Sequence, residues 1–174
     1  MDVVLLQGAG EGAHDEDAVL ARSLQRHLGD GFRVEFPTMP RESDPDFVRW
    51  RPAIADAVDG VEVLVGHSLG GFFLLKHLAE SPSPTARVLC LIAAPFPGGD
   101  ADWTFDGFEL PDGFAAALPD TVLLYASEDD EIVPFAHRDL YSAAIPQAVA
   151  RTATGGHQLG GDLAVVAADI RDSH

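Results

Sequence analysis

Along this chain, short apolar runs alternate with stretches whose apolar positions recur at helical spacing. The runs predict strands at Val3–Leu6, Arg33–Phe36, Val61–Val65, Val88–Ala93, Val122–Tyr125 and Ala148–Thr152. The first, third, fourth and fifth are almost purely apolar, as strands covered on both faces are. Between them, Leu20, Leu24 and Leu28 form a helical stripe. Asp15-Glu16-Asp17 opens it, since acids suit a helix N-terminus, and Gly29 and Gly31 stop it. Phe47, Trp50, Ile54 and Val58 form a second stripe, starting near Asp44-Pro45, in which Pro52 should break or kink the helix. Leu69 to Ala79 is apolar nearly all round, the pattern of a central buried helix, and Ser81-Pro82-Ser83-Pro84 ends it. Leu163, Val166, Ala167 and Ile170 line the last helix.

Strand and helix in such alternation predict a three-layer α/β domain around a six-stranded, mainly parallel sheet, one domain over residues 1–174. Residues 95–119 are rich in Gly, Pro and aromatics and too long for an ordinary connection. They are expected to form a lid or a pocket-forming loop, and no room remains for a large cap domain.

Charge narrows the function classes. Acidic residues outnumber basic ones 28 to 11, a formal charge of -17. That field repels phosphate backbones and anionic lipid, so nucleic-acid and membrane-surface binding are not expected. The apolar start of the chain is too short for a signal peptide or for a span of roughly 20 residues, and a cytoplasmic protein is expected. Cys90 is the sole cysteine and lies inside an apolar run, which excludes an internal disulfide and suggests inert packing.

The chemistry concentrates in loops that follow strands. Gly66-His67-Ser68-Leu69-Gly70 lies between the third strand and the apolar helix, where a sharp strand-to-helix turn would hold Ser68 in a strained backbone conformation. The glycines on either side let backbone segments approach closely. A P-loop is disfavoured because no lysine follows the glycine pair. A serine hydroxyl needs a base, and the base needs an orienting carboxylate; where the serine sits on such a strand-to-helix elbow, the chain order is Ser, acid, His. Thr154-Gly155-Gly156-His157 follows the sixth strand and offers His157 as base. His27, His77 and His137 lie in helical patterns and are expected on surfaces, whereas His67 is too close in sequence to Ser68 to act as its base. His174 ends the chain, so His14 in the first loop is the rival. For the acid, Glu128, Asp129, Asp130 and Glu131 follow the fifth strand consecutively, and position alone does not choose among them. The backbone N–H groups of Leu69 and of Ala9, in the loop Gln7-Gly8-Ala9-Gly10-Glu11-Gly12, are expected to form an oxyanion hole. Gly10, Trp103 and Phe105, with Phe108, are candidates for the substrate side. His14-Asp15-Glu16-Asp17 could imitate a metal site, but sequential acids at a helix start mostly serve the helix N-terminus, and neither metal nor organic cofactor is expected.

These motifs resemble the α/β-hydrolase superfamily over nearly the whole chain. More narrowly, the chain is similar to the small serine hydrolases related to retinoblastoma-binding protein nine. The similarity is carried by Gly8, Phe36-Pro37-Thr38-Met39-Pro40, Trp50, Gly66-His67-Ser68-Leu69-Gly70, Asp130-x-x-Val133-Pro134 and Gly156-His157. Gln7-Gly8 departs from the His-Gly with which many relatives begin the first loop. The resemblance implies Asp130 as the acid of a Ser68–Asp130–His157 triad, and a carboxylesterase-like hydrolysis of an ester, thioester or similar small acyl substrate. Acyl transfer to another acceptor, or an interaction protein on a hydrolase scaffold, are the alternatives.

Overall fold

The computed structural model describes residues 1–104 and 106–173. Its strands are β1 (Asp2–Leu6), β2 (Arg33–Glu35), β3 (Val63–His67), β4 (Val88–Ile92), β5 (Thr121–Ser127) and β6 (Ala148–Ala153). The helices are α1 (Ala13–Leu28), α2 (Phe47–Val58), α3 (Ser68–Glu80), α4 (Ala136–Ala144) and α5 (Ala164–Asp172). The strands form one sheet in the order β2-β1-β3-β4-β5-β6, and every neighbouring pair is parallel.

Pleating sends alternate residues of each central strand to opposite faces, and helices cover both. Val3 and Leu5 of β1 join Val63 and Val65 of β3 in the core under α1 and α5. Val4, Leu6 and Leu64 face the other core, with Trp50 and Ile54 of α2, Phe72 and Leu75 of α3 and Tyr141 of α4. A strand buried on both faces has no polar side to show, which explains the unbroken apolar runs. β3 starts two residues later than its apolar run suggests: Val61 packs into the core before pairing begins.

Two expectations fail in whole or in part. Pro52 does not break α2, which continues to Val58. Both Pro52 and Val48, whose carbonyl lacks a Pro52 N–H, lie on the exposed face, where water can serve the orphaned acceptor. His77 and His137 are buried at 6% and 2% exposure instead of lying on surfaces, because α3 is covered nearly all round and α4 packs under the 95–104 segment. His27 is half-buried beside Asp162. Cys90 sits fully buried in β4, where burial pushes its thiol pKa up and leaves it unreactive.

Residues 95–119 contain a 3₁₀ turn at Phe114–Ala117 and line a cavity of about 610 Å³ with Phe96, Thr104 and Phe114 among its walls. The segment is pinned to the body: Tyr141 donates to the Pro95 carbonyl at 2.6 Å, and Lys76 to that of Glu109 at 2.6 Å. No helix among the described residues is long and apolar enough to cross a membrane.

Candidate active site

The sheet order sets the place. From β1 the chain steps to β2 on one side, then crosses back to β3 on the other, so the loops after β1 and β3 part at their carboxyl ends and leave a crevice there. Ser68 follows β3 directly and has φ 51, a left-handed conformation that a non-glycine residue adopts only under strain. Its neighbours make the turn feasible. A Cβ on Gly66 would stand 2.5 Å from the Gly71 Cα, and one on Gly71 would stand 2.8 Å from the Gly66 carbonyl oxygen. Gly70 lies against the Gln7 backbone with no room for a side chain. Gly8 of the first loop lies over Ser68, since a Cβ there would be 3.2 Å from that of Ser68.

β5 and β6 supply the other two side chains. Asp130 Oδ2 lies 2.9 Å from His157 Nδ1, and the Asp130 side chain is fully buried while that of His157 is 17% exposed. Asp130 Oδ1 accepts the N–H groups of Ile132 at 2.8 Å and Val133 at 3.0 Å, which fixes the carboxylate. Burial opposes its charge, but the His157 ring and these two N–H donors outweigh burial and hold the carboxyl below its ordinary pKa. With a carboxylate at Nδ1, that nitrogen carries the proton and Nε2 is left as the basic one. No hydrogen bond joins Ser68 Oγ to His157 Nε2 among the described residues, an opening of the kind that apo sites show.

The other acids of the run do different work. Asp129 accepts the Ser127 hydroxyl and the Gly156 N–H, the latter at 3.1 Å, so it braces the His157 loop without touching the ring. Glu128 and Glu131 are exposed. His14 is engaged elsewhere: its ring stacks on Phe36 at 4.4 Å, and Nε2 lies 3.1 Å from the Thr38 hydroxyl. Leu69 occupies the first turn of α3, where a backbone N–H has no intrahelical acceptor, and Ala9 lies one residue beyond Gly8.

On the substrate side, Gly10 has φ 124 and open space where a Cβ would be. The Phe108 ring is 3.8 Å from Phe72 of α3 and 3% exposed, so it packs into the core while also forming part of the wall of the cavity of about 610 Å³. Trp103 packs 6.0 Å from Phe108, half-buried, and Phe105 lies outside the described residues. The cavity of about 610 Å³ is lined by none of Ser68, Asp130 or His157.

Several residues of the site carry no motif. Glu42 lies in the loop between β2 and α2, yet it accepts the N–H groups of Gly12 at 2.9 Å and His14 at 2.8 Å and the Gln7 side chain at 2.6 Å. It thereby holds the first loop and caps α1 from a distance, a duty that Gly12 at the helix start cannot perform. Gln7 Oε1 in turn accepts the Met39 N–H at 3.0 Å, which is what the departure from His-Gly supplies here. Asp17, read as one of three helix-start acids, is 1% exposed and points into the site. Among the described residues, no group of three or more His, Cys, Asp or Glu side chains could hold a metal ion.

With fold and site in view, the chain's kinship is plain: residues 3–173 match the model of the alpha/beta hydrolase family, and the chain belongs to it. Solved structures agree on the fold. The ydeN gene product from B. subtilis superposes with a TM-score of 0.77 at 20% identity, covering 99% of this chain and 97% of that one. The esterase domain of a Rhodothermus marinus protein gives 0.69 at 17% identity over 98% and 86%. A serine hydrolase involved in carbazole degradation gives 0.71 at 15% identity over 99% and 90%. No curated protein sequence matches the chain.

Proposed function

We propose that this alpha/beta hydrolase is a serine hydrolase that cleaves esters, thioesters or similar small acyl substrates through an acyl-enzyme on Ser68. The observation that carries the reading is the Asp130–His157 pair, with contact at 2.9 Å, its imidazole 4.7 Å from the ring of His67, whose neighbour Ser68 is held at φ 51. Ser68 Oγ attacks the acyl carbonyl carbon as His157 Nε2 takes its proton, and the displaced C=O electron pair rests on an oxygen held by the Ala9 and Leu69 N–H groups. Collapse expels the alkoxide or thiolate, which leaves with the proton from His157. Water repeats the sequence, with Ser68 as leaving group, and releases the acid. Asp130 holds the His157 tautomer and offsets the imidazolium charge throughout.

A short acyl group fits a nucleophile that the cavity of about 610 Å³ does not reach, with Gly10 leaving room beside the first loop. The charge of -17 supports a small-molecule substrate over nucleic acid or an anionic membrane surface. The motif from Phe36 to Pro40, with Asp130-x-x-Val133-Pro134, supports the narrower kinship with hydrolases related to retinoblastoma-binding protein nine.

Fluorophosphonate labelling read by intact mass tests the reading. The expected result is one adduct on the wild type, absent in Ser68→Ala and strongly slowed in His157→Ala. No adduct on folded wild type would overturn it in favour of an interaction protein. Product partitioning toward an added alcohol would redirect it to acyl transfer.

A further inference from the structure

Beneath the crevice, one buried acid meets three loops of the site. Asp17 Oδ2 accepts the Gly8 N–H at 2.6 Å and faces His67 Nδ1 at 2.8 Å, while Oδ1 accepts the Gln158 side chain at 2.8 Å. Gly8 belongs to the oxyanion loop, His67 to the elbow, and Gln158 follows His157. His67 is 2% exposed, and its other nitrogen, Nε2, lies 3.0 Å from the His157 carbonyl oxygen. A carbonyl oxygen only accepts, so Nε2 carries a proton. A carboxylate also only accepts, so Nδ1 carries one too, and a ring with two N–H bonds is an imidazolium.

We infer that Asp17 and His67 form a buried carboxylate–imidazolium pair that positions the oxyanion loop and His157 for the Ser68 reaction. The inference rests on the serine-hydrolase reading of the site. The two charges compensate each other, which lets both stay out of water. Burial works against charge on Asp17, but the donors from His67, Gly8 and Gln158 outweigh it and hold the carboxyl below its ordinary pKa. Neutrality matters because the His67 ring lies 4.7 Å from that of His157, which must become cationic as Ser68 attacks. A lone imidazolium so close would oppose that step, whereas a balanced pair does not. An uncharged His67 could keep only one of its two N–H donations, to Asp17 or to the His157 carbonyl, and one loop would lose its tie.

These residues touch no substrate, so their effect is on geometry. The test uses the full chain: Asp17→Asn and His67→Asn, with Asp15→Asn as an exposed acid in the same helical turn. Hydrolysis of p-nitrophenyl acetate gives kcat and KM, and ¹⁵N-edited NMR of the wild type counts the protons on the His67 ring. The expected result is a fall in kcat of about 10- to 100-fold in Asp17→Asn, the scale of lost hydrogen bonds to a charged group. KM should stay within about twofold, Asp15→Asn should match the wild type, and the His67 ring should carry two N–H protons. Unchanged kcat in a folded Asp17→Asn, a loss lying wholly in KM, or a single ring proton would overturn the inference. If Asp17→Asn does not fold, His67→Asn carries the same kinetic test, and the ring protonation of the wild type decides alone if neither folds. A folded wild type that is inert to the ester and to fluorophosphonate refutes the hydrolase reading instead, and the proton count on His67 then still accepts or rejects the charged pair.

Discussion

Replacing Gly70 by alanine would put a methyl group on top of the Gln7 carbonyl oxygen and 2.9 Å from its carbonyl carbon. Ordinary carbon contacts lie at about 3.5–4.0 Å, so the first loop and the start of α3 must separate by about 1 Å. Neither can yield easily. Gln7 is fully buried and held through Met39 and Glu42, and the α3 residues from Ser68 to Leu78 are all buried. Overpacking of this kind costs about 1–3 kcal/mol, near the upper end here because backbone meets backbone. For a chain of this size, about 2–3 kcal/mol lowers Tm by roughly 4–12 °C. The same separation moves Gly8 and Ala9 away from Ser68, and about 1 Å of misplacement costs about 100-fold in rate. Gly31→Ala is the comparison, since nothing lies within 4 Å of its added Cβ. Thermal melts and fluorophosphonate labelling rates on both variants read the two effects. Gly70→Ala with wild-type Tm and labelling rate would refute the idea that close approach of the first loop to the elbow builds the site.

Two further outcomes follow from the acids. Asp130→Asn should lower kcat by about 10³–10⁴-fold by releasing the His157 tautomer, whereas Asp129→Asn, which braces only the loop, should cost less than about 10-fold; steady-state kinetics that reverse this order would reassign the acid. Asp17 and Asp130 both have carboxyls held below their ordinary pKa, so the stability they confer is complete above the unfolded value of about 3.9 and is lost as pH falls through the lower folded values. The urea midpoint should therefore hold down to about pH 5 and drop from there toward about pH 2, less steeply in Asp17→Asn, and a flat midpoint would contradict the assignment.

Much of the architecture is already legible in the chain because its signals are local. A strand covered on both faces shows as an apolar run, and a strand-to-helix turn shows as closely spaced glycines around Ser68. His157 is legible for the same reason, following a strand after a glycine pair. Boundaries shift by a residue or two, as with β3, since packing begins before pairing does.

The tertiary structure alone decided which partners meet. Four consecutive acids are equivalent by position, and only the path of the β5 and β6 loops gives Asp130 the His157 ring and Asp129 the Gly156 N–H. Asp17 looks like a helix-start charge until α1 turns it inward toward His67, 50 residues on. Glu42 gives no local signal, yet it secures a loop 30 residues earlier. His77 and His137 are buried because of what packs over their helices, and Pro52 is tolerated because its face of α2 meets water. Periodicity and turn chemistry depend on neighbours in sequence, and so the chain alone determined the elements. The pairing of a buried charge depends on neighbours in space, which exist only once the sheet and its helices have assembled.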